Sequence, residues 1–222
     1  PDTVAALVDG ALVDLHTPIE TPTDIAPVMS DDPRALTLIH HSTAHVMADA
    51  VQRLFPGTKV TIGPATDGGF FYDFDRKDGR FTEDDLARIE ATMREIVKED
   101  RPFTRYVVSR EEARERLAKL GENYKIEILD SIPEGEDVSF YQHGEWIDLC
   151  EGPHVPSTKW LQGVKLTGVG GVYWRNKEGN PYLQRIYGTA WASQKALDAH
   201  LKQLEEAKAR DHRKLGRELG LF

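Results

Sequence analysis

The sequence predicts an α+β protein in which a mainly antiparallel sheet packs against helices. Two segments, from 36 to 55 and from 82 to 97, carry apolar residues at helical spacing. Several short segments alternate apolar and polar side chains, as strands do, and glycine or proline separates them. With 222 residues, 40% of them hydrophobic, the chain can form one large domain or two small ones.

The first element is predicted to be a hairpin. In "VAALVDGALVDL", residues 4–15, two apolar runs flank Asp9 and Gly10, which form a strong two-residue turn signal. Residues 16–33 contain four prolines and several acids, and indicate a loop with one short strand near "IAPVM". About thirty residues are too few for an independent core, so this part resembles the end of a small β-rich domain.

Two helices and a strand pair are predicted next. The helix at 36–55 is ended by Pro56 and Gly57, and "KVTIGPATDGGFFYDFD" indicates strand, turn and strand. Thr82 and Asp85 resemble a capping box that opens the second helix. Its predicted core face consists of Leu86, Ile89, Met93, Ile96 and Val97.

The second half alternates strands, helices and a long hairpin. Residues 103–108 indicate a strand, and Ser109 with Glu112 opens a short helix that Gly121 ends. "YKIEILDSI" and "EWIDLC" are predicted strands, and the glycine-rich run 163–174 forms a hairpin with "YLQRIYGTAW". From Ser193 a charged helix is predicted, with an inward face of Leu197, Leu201, Leu204 and Ala207.

The charge is unevenly distributed along the chain. The formal net charge is −9, yet residues 159–187 carry five basic residues against Glu178 alone, with tyrosines and tryptophans between them. Such a segment can bind a phosphate backbone and a stacked base, and the alternative is an ordinary solvated face. The single cysteine allows no disulfide within the chain and fits a reducing cytosol. No apolar run approaches membrane-spanning length.

Two motifs indicate a common site. His41 and His45 lie on one face of the predicted helix, and "DLCEGPH" places Cys150 and His154 four residues apart in a loop. These side chains are four possible tetrahedral ligands, and Asp148 shares a side of the strand with Cys150. Each residue alone is more often structural, but the paired pattern HxxxH…CxxxH favours a shared functional site. His40 points about 100° away from His41 and is left out.

The sequence that contains these motifs resembles the amino-terminal region of bacterial-type threonyl-tRNA synthetases. The resemblance rests on "HSTAHVMADAV", "IGPATDGGFFYDFD", "YKIEILD", "IDLCEGPHVP", "QRIYGTAWA" and "ARDHRKLGRELGLF". It implies part of a TGS (β-grasp) domain at 1–30, an editing domain at 31–192, and a linker helix at 193–222. That helix would lead toward a class II catalytic domain, whose ATP-binding motifs do not occur in this sequence.

The resemblance implies proofreading: hydrolysis of seryl-tRNA(Thr) by an oriented water in a pocket that excludes threonine. One methyl group discriminates by only ~1–3 kcal/mol, so a second site is needed. Carried over by motif, the catalytic residues are His41, His45, Lys125, Asp148, Cys150 and His154, and Tyr72 binds substrate. The family match implies that His41 and His45 position the water or the ribose.

The remaining roles follow from the same resemblance. Lys125 would hold the leaving ribose, and Asp148 would anchor the α-amino group or orient a histidine. His154 would contact the seryl hydroxyl, and Tyr72 would stack on the terminal adenine.

The resemblance also sets the expected cofactors and partners. No cofactor is expected, although related alanyl editing domains hold zinc on this pattern; zinc would be bound by His41, His45, Cys150 and His154. ATP would be used only by the catalytic domain. The expected partner is tRNA(Thr). No membrane partner is expected, and the expected location is the cytoplasm. The full-length protein would be a homodimer, and this fragment a monomer.

Three alternatives stay open. Cys150 and His154 could form a thiol nucleophile and its base, with a covalent acyl intermediate. The chain could instead be a non-catalytic tRNA-docking module with a structural zinc. It could also be a free-standing editing protein, although the ending "DHRKLGRELGLF" resembles a linker helix and favours a fragment.

Overall fold

A computed structural model describes residues 2–209, and within them the chain has five α-helices and three antiparallel sheets. The α+β class and the mainly antiparallel pairing predicted from the sequence are confirmed. The first sheet consists of β1 (Thr3–Val8), β2 (Ala11–Val13) and β3 (Ile25–Met29), in the order β2-β1-β3. The predicted hairpin and the strand at "IAPVM" are therefore present.

The turn of the first hairpin has the backbone that its sequence predicts. Asp9 and Gly10 have φ values of 48° and 83°. Positive φ at both central residues is the requirement of a type I′ turn, for which Asp-Gly is one of the preferred pairs.

The central sheet has five strands. They are β4 (Lys59–Val60), β5 (Ala65–Thr66), β6 (Gly69–Asp75), β10 (Gly163–Tyr173) and β11 (Tyr182–Trp191). The order is β10-β11-β6-β4, and β5 pairs with β6. The predicted hairpin of the glycine-rich run is the β10–β11 pair.

Helix α1 (Ala35–Leu54) packs on this sheet and on α2 (Glu83–Lys98). Fourteen of its twenty residues are buried, so it is covered on nearly all sides. Pro56 and Gly57 follow its end as predicted, and Gly57 has a φ of 87°. The histidine pair of the sequence motif therefore lies on a helix in the middle of the molecule.

Helix α2 begins with the predicted capping box. The Thr82 hydroxyl accepts from the Asp85 backbone N–H at 3.2 Å, and the Asp85 carboxylate accepts from the Thr82 N–H at 3.1 Å. Of the predicted core face, Leu86, Ile89, Met93 and Ile96 are buried and Val97 is half-buried.

A third sheet with two helices completes the described chain. Its strands β7 (Thr104–Val108), β8 (Val138–His143) and β9 (Trp146–Leu149) follow the order β7-β8-β9. The helices are α3 (Arg110–Leu120) and α4 (Asn123–Ser131). Gly121 ends α3 in the left-handed region at φ 69°, as predicted. Strand β8 was not predicted.

The prediction of a strand at "YKIEILDSI" is wrong, because this segment is helix α4. Its buried residues are Tyr124, Lys125 and Leu129, a spacing that places them on one side of a helix. The alternation of apolar and polar residues over the five positions 124–128 suits a strand, but a run this short does not exclude a helix. Packing against α3 and β4 favours the helix.

The last described helix, α5 (Gln194–Ala209), confirms the predicted start but only half of the predicted inward face. Leu197 is 2% exposed and Leu201 is half-buried, whereas Leu204 is 42% exposed and Ala207 is also exposed. The helix leaves the sheet after its first turns, so its later apolar residues do not reach the core. Residues 210–222 of the predicted linker helix lie outside the described residues.

The predicted division at 1–30, 31–192 and 193–222 stays a prediction. Strand β3 ends at Met29 and helix α5 begins at Gln194, near the two predicted boundaries. Among the described residues, no helix combines the length and apolar character needed to cross a membrane.

Replacing Thr82 with Ala should destabilise the protein by about 1 kcal/mol, because the mutation removes the hydroxyl that accepts from Asp85 at the start of α2. Urea unfolding would measure this loss. Thr21→Ala, at an exposed loop position, serves as the control and should change stability by less than about 0.5 kcal/mol. Equal effects of the two substitutions would contradict the capping role.

Candidate functional site

The two sequence motifs meet in space. His41 Nε2 lies 3.0 Å from Cys150 Sγ, which in turn lies 3.4 Å from His154 Nε2. The metal-binding atoms of His41, His45, Cys150 and His154 all lie within 4.8 Å of one another. The structure therefore brings together the helical pair and the loop pair of the pattern HxxxH…CxxxH.

Three imidazole rings form the centre of this cluster. Ring centroids are 5.1 Å apart for His41 and His45, 4.5 Å for His41 and His154, and 4.4 Å for His45 and His154. His45 and His154 are buried, whereas His41 is half-buried. His41 is therefore the imidazole of this group nearest to solvent.

The loop that carries Cys150 and His154 requires a glycine. Gly152 has a φ of 79°, and a Cβ atom there would overlap the Tyr141 side chain. The Gly152 N–H points at Cys150 Sγ at 3.3 Å. This tight path turns the thiol and the imidazole of the loop toward the same helix.

Ser42 and Phe103 fix the ring of His154. The Ser42 hydroxyl accepts from the Val155 N–H at 3.1 Å, so its own proton is available to His154 Nδ1 at 3.0 Å. When Ser42 donates in this way, the ring proton of neutral His154 is on Nε2, toward Cys150. Phe103 stacks flat on the same ring, with centroids 4.9 Å apart.

A buried ion pair borders the cluster. Lys125 Nζ lies 2.7 Å from Asp148 Oδ1 and 2.8 Å from Oδ2, and the Tyr72 hydroxyl donates to Oδ2 at 2.7 Å. His45 Nε2 is 3.9 Å from the same carboxylate. Lys125 reaches this position from helix α4 rather than from the strand predicted for it. The predicted residues Asp148 and Lys125 thus lie together at the site.

Tyr72 contributes its hydroxyl to the site, while its ring belongs to the core. The side chain is 1% exposed, its ring stacks on Phe74 at 5.2 Å, and Gly63 passes directly beside it. Stacking on an adenine would require a free ring face, which this packing covers. Burial and the Asp148 carboxylate raise the pKa of Tyr72 well above 10, so its hydroxyl stays a donor.

Burial keeps the imidazoles and the thiol neutral. It lowers the pKa of His41 to about 4, with a smaller contribution from Lys125. Burial and the neighbouring histidines hold the pKa of His45 and of His154 well below 6.5. Burial, followed by the Asp148 charge, raises the pKa of Cys150 to about 12. At neutral pH the site therefore contains uncharged bases beside one paired ammonium.

Several contacts of the site were not predicted from the sequence. Besides Ser42 and Phe103, Trp146 lies 5.3 Å from the His45 ring, and its indole N–H donates to Gln52 Oε1 at 2.7 Å. Gln52 lies two helical turns beyond His45, so helical spacing could have indicated it. His40, excluded from the site on spacing, faces Phe70 of the sheet at 6.3 Å.

The basic segment 159–187 is largely neutralised within the protein. Four of its five cations form ion pairs with carboxylates of other elements. The pairs are Lys159–Asp100 (3.3 Å), Lys165–Glu90 (2.8 Å), Arg175–Glu127 (3.8 Å) and Arg185–Asp73 (2.6 Å). This pairing favours the alternative of an ordinary solvated face over a dedicated phosphate-binding surface.

The donor set of the cluster fits a zinc ion. One thiol and three imidazoles are ligands that zinc takes, and the buried Nδ1 atom of His45 has no hydrogen-bond partner. Zinc would be held by His41, His45, Cys150 and His154 and would supply a Lewis acid. Binding would require loss of the thiol proton of Cys150.

Comparison with known proteins agrees with the resemblance seen in the sequence. Residues 138–187 match the family model described as "Threonyl and Alanyl tRNA synthetase second additional domain". The threonine–tRNA ligase of Marinobacter nauticus is 52% identical over 219 residues, which cover 99% of this chain and 34% of that protein. The threonine–tRNA ligase of Rubrobacter xylanophilus is 54% identical over 221 residues, which cover 100% of this chain and 34% of that protein.

A third relative gives the same relation. The threonine–tRNA ligase of Brucella canis is 52% identical over 220 residues, covering 99% of this chain and 33% of the relative. The chain thus spans about a third of the length of the curated relatives it matches. The resemblance to part of a threonyl-tRNA synthetase is confirmed along essentially the whole chain.

Stability should fall as the pH is lowered from about 6.5 toward about 4. The pKa of His41, His45 and His154 is lowered in the folded state, so the unfolded chain binds protons first in this window. The contribution is complete above pH 6.5 and is lost as the pH falls through the folded pKa of about 4 for His41. Urea midpoints at pH 7, 6, 5 and 4 would measure it.

The variant His41→Asn should reduce the slope of stability against pH in this window. His16→Gln removes an exposed histidine of the N-terminal region and is the matched control, with an unchanged slope. Equal slopes for wild type and His41→Asn would show that His41 does not titrate as its burial requires.

Proposed function

We propose that this chain is a proofreading hydrolase that removes serine from seryl-tRNA(Thr). The observation that carries the proposal is the cluster of three neutral imidazoles beside the buried Lys125–Asp148 pair. The relatives supply the substrate class, because they are threonine–tRNA ligases and the matched domain is one that threonyl and alanyl synthetases share.

The proposed discrimination is steric. The aminoacylation site of a synthetase loses only ~1–3 kcal/mol of binding free energy when serine replaces threonine, because the two amino acids differ by one methyl group. A hydrolytic site can correct this error by being too small for the methyl group. The side chains around the cluster are large and tightly packed, with Phe103 and Tyr141 on two sides of His154.

Water activation is assigned to the helical histidines. Ester hydrolysis needs a base that can accept a proton from water at neutral pH. His41 is neutral and half-buried at the solvent side of the cluster, so it can accept a hydrogen bond from an entering water. The His45 ring is buried behind His41, with the two ring centroids 5.1 Å apart.

The ion pair is assigned to the charged parts of the reaction. The Lys125 ammonium would stabilise the oxyanion or the leaving ribose oxygen. Asp148 would accept a hydrogen bond from the α-ammonium of the seryl group. The Tyr72 hydroxyl donates to Asp148 Oδ2 at 2.7 Å and so orients the carboxylate. His154 would contact the seryl hydroxyl.

Cys150 is assigned to the wall of the pocket. A nucleophilic cysteine needs a thiolate, which is favoured by a lowered pKa. Here the pKa is raised to about 12, so the thiol is protonated at neutral pH. This property supports direct attack by water over the covalent alternative.

The larger assignments are part of the same proposal. The relatives are about three times as long as this chain, so the ligase reaction, its use of ATP and a homodimer would belong to the longer protein. The proposed partner of this chain is tRNA(Thr), and residues 1–30 would be part of a TGS domain. A cytoplasmic location is proposed on the same basis.

The chain should release serine from seryl-tRNA(Thr) about 100-fold faster than threonine from threonyl-tRNA(Thr). The physical reason is the extra methyl group, which the packed pocket excludes. Release of labelled amino acid with each substrate measures the ratio. Serine release no faster than the uncatalysed rate would instead support a tRNA-docking module.

The same assay should give equal rates with and without a chelator, since we assign the chemistry to the chain's own side chains. A loss of activity that zinc restores would contradict the metal-free mechanism. Metal analysis of the protein before and after chelation provides the control for complete removal.

Replacement of Cys150 with Ala should keep the rate of serine release within about tenfold of wild type, because a wall residue is not consumed in the reaction. Rapid-quench measurements should show no burst of acyl-enzyme in either protein. If a correctly folded Cys150→Ala variant lost all activity, the thiol would be the nucleophile.

A further inference from the structure

We propose that Asp14, in the segment that follows the N-terminal hairpin, is a positioning residue for His154 and acts through Tyr141. The proposal assigns a task in the site to a part of the chain that supplies none of the catalytic residues named above. Its kinetic consequence rests on the proposed hydrolase function, whereas its structural consequence does not.

The contact between Asp14 and Tyr141 is short and buried. The Tyr141 hydroxyl donates to Asp14 Oδ2 at 2.6 Å, across a separation of 127 residues in the sequence. Asp14 is 7% exposed and Tyr141 is 3% exposed. A buried hydroxyl needs a partner, and the carboxylate supplies one from the segment that follows β2.

The Asp14 carboxylate is fixed by its own turn. Its Oδ1 atom accepts from the Thr17 hydroxyl at 2.9 Å and from the His16 N–H at 3.2 Å. The Thr17 N–H also donates to the Asp14 carbonyl at 3.3 Å. These bonds leave Oδ2 for Tyr141, so the carboxylate is prepared to hold that hydroxyl in one place.

Tyr141 touches the loop of the site at two points. Its ring centroid is 4.4 Å from that of His154, and its hydroxyl occupies the space that a Cβ atom on Gly152 would need. Strand β8 also places it opposite Asp148 of β9. Because the ring supports both Gly152 and His154, its position sets the position of the whole Cys150–His154 loop.

The Asp14 bond determines how firmly the ring gives this support. Without an acceptor at its hydroxyl, the ring is free to tilt against the loop that it supports. A shift of the loop would change the 3.4 Å separation of Cys150 Sγ and His154 Nε2. Burial and Asp14 also raise the pKa of Tyr141 above its usual value, so the hydroxyl remains protonated and keeps donating.

The test compares Asp14→Ala, Asp14→Asn and Tyr141→Phe with Asp24→Ala in the full chain. Asp24 is an exposed acid of the same N-terminal region, so its variant removes the same charge away from Tyr141. Asn at position 14 keeps an oxygen that can accept from the tyrosine, whereas Ala does not. Urea unfolding of each variant establishes that it is folded.

The kinetic readout is the split between kcat and KM in serine release. Asp14→Ala and Tyr141→Phe should lower kcat by roughly 10-fold to 100-fold and also raise KM, because a displaced His154 holds the seryl hydroxyl less well both in the bound state and in the transition state. Asp14→Asn should recover most of kcat, and Asp24→Ala should match wild type. Losses that follow stability alone, without recovery in Asp14→Asn, would overturn the proposal.

The structural readout is the NMR signal of the His154 ring. Its ring proton and carbon shifts should change in Asp14→Ala and Tyr141→Phe and stay constant in Asp24→Ala. Unchanged His154 shifts in the first two variants would overturn the proposal even if activity fell. If no variant and no wild-type protein released serine, the proposed hydrolase function would fail, while these shifts would still decide the role of Asp14.

Discussion

A helix covered on nearly all sides must find partners inside the protein for most of the polar side chains it carries, and α1 is such a helix. Its buried residues include His40, Ser42, Thr43, His45 and Asp49. A buried neutral group of this kind costs roughly 1–3 kcal/mol when it has no hydrogen-bond partner, and a carboxylate costs more. Most of the partners come from distant parts of the chain, such as His154 for Ser42 and His143 for Asp49. The convergence of the site is the consequence of satisfying this helix.

The same burial decides the chemistry of the residues that converge. Removing water disfavours charge, so the imidazoles lose their protons and the thiol keeps its own. Lys125 and Asp148 remain a charged pair because each compensates the other and Tyr72 binds the carboxylate. One low-dielectric environment therefore yields bases, a neutral wall and a fixed ammonium, which are the components that ester hydrolysis by water requires.

The sequence predicted those parts of the structure whose signal is local. Asp9 and Gly10 specify their turn, Thr82 and Asp85 specify their cap, and the spacing of His41 and His45 specifies a shared helix face. Helix α4 was mistaken for a strand because the alternating polarity of residues 124–128 is typical of a strand, and only the packing of this short segment against α3 and β4 distinguishes the two structures. Lys125 was recognised through the family resemblance alone, since nothing in its neighbourhood marks a buried lysine. Tyr141 reaches His154 through strand pairing in the third sheet, and Phe103, just before β7, is held beside His154 by its N–H bond to the Pro156 carbonyl; no local pattern reveals either contact.

The internal ion pairs of the β10–β11 region bear on how a polyanion reaches this site. Cations already bound to Glu90, Asp73 and other acids exert little attraction at a distance, and the chain as a whole is negative. Free in solution, a domain of this charge would meet a nucleic acid slowly and hold it weakly. Under the proposed function, covalent attachment to a tRNA-binding catalytic domain would remove that difficulty, since tethering raises the effective concentration of the acceptor end to the millimolar range. A weakly attractive surface would then be an advantage, because it releases each corrected tRNA quickly and leaves capture to the rest of the polypeptide.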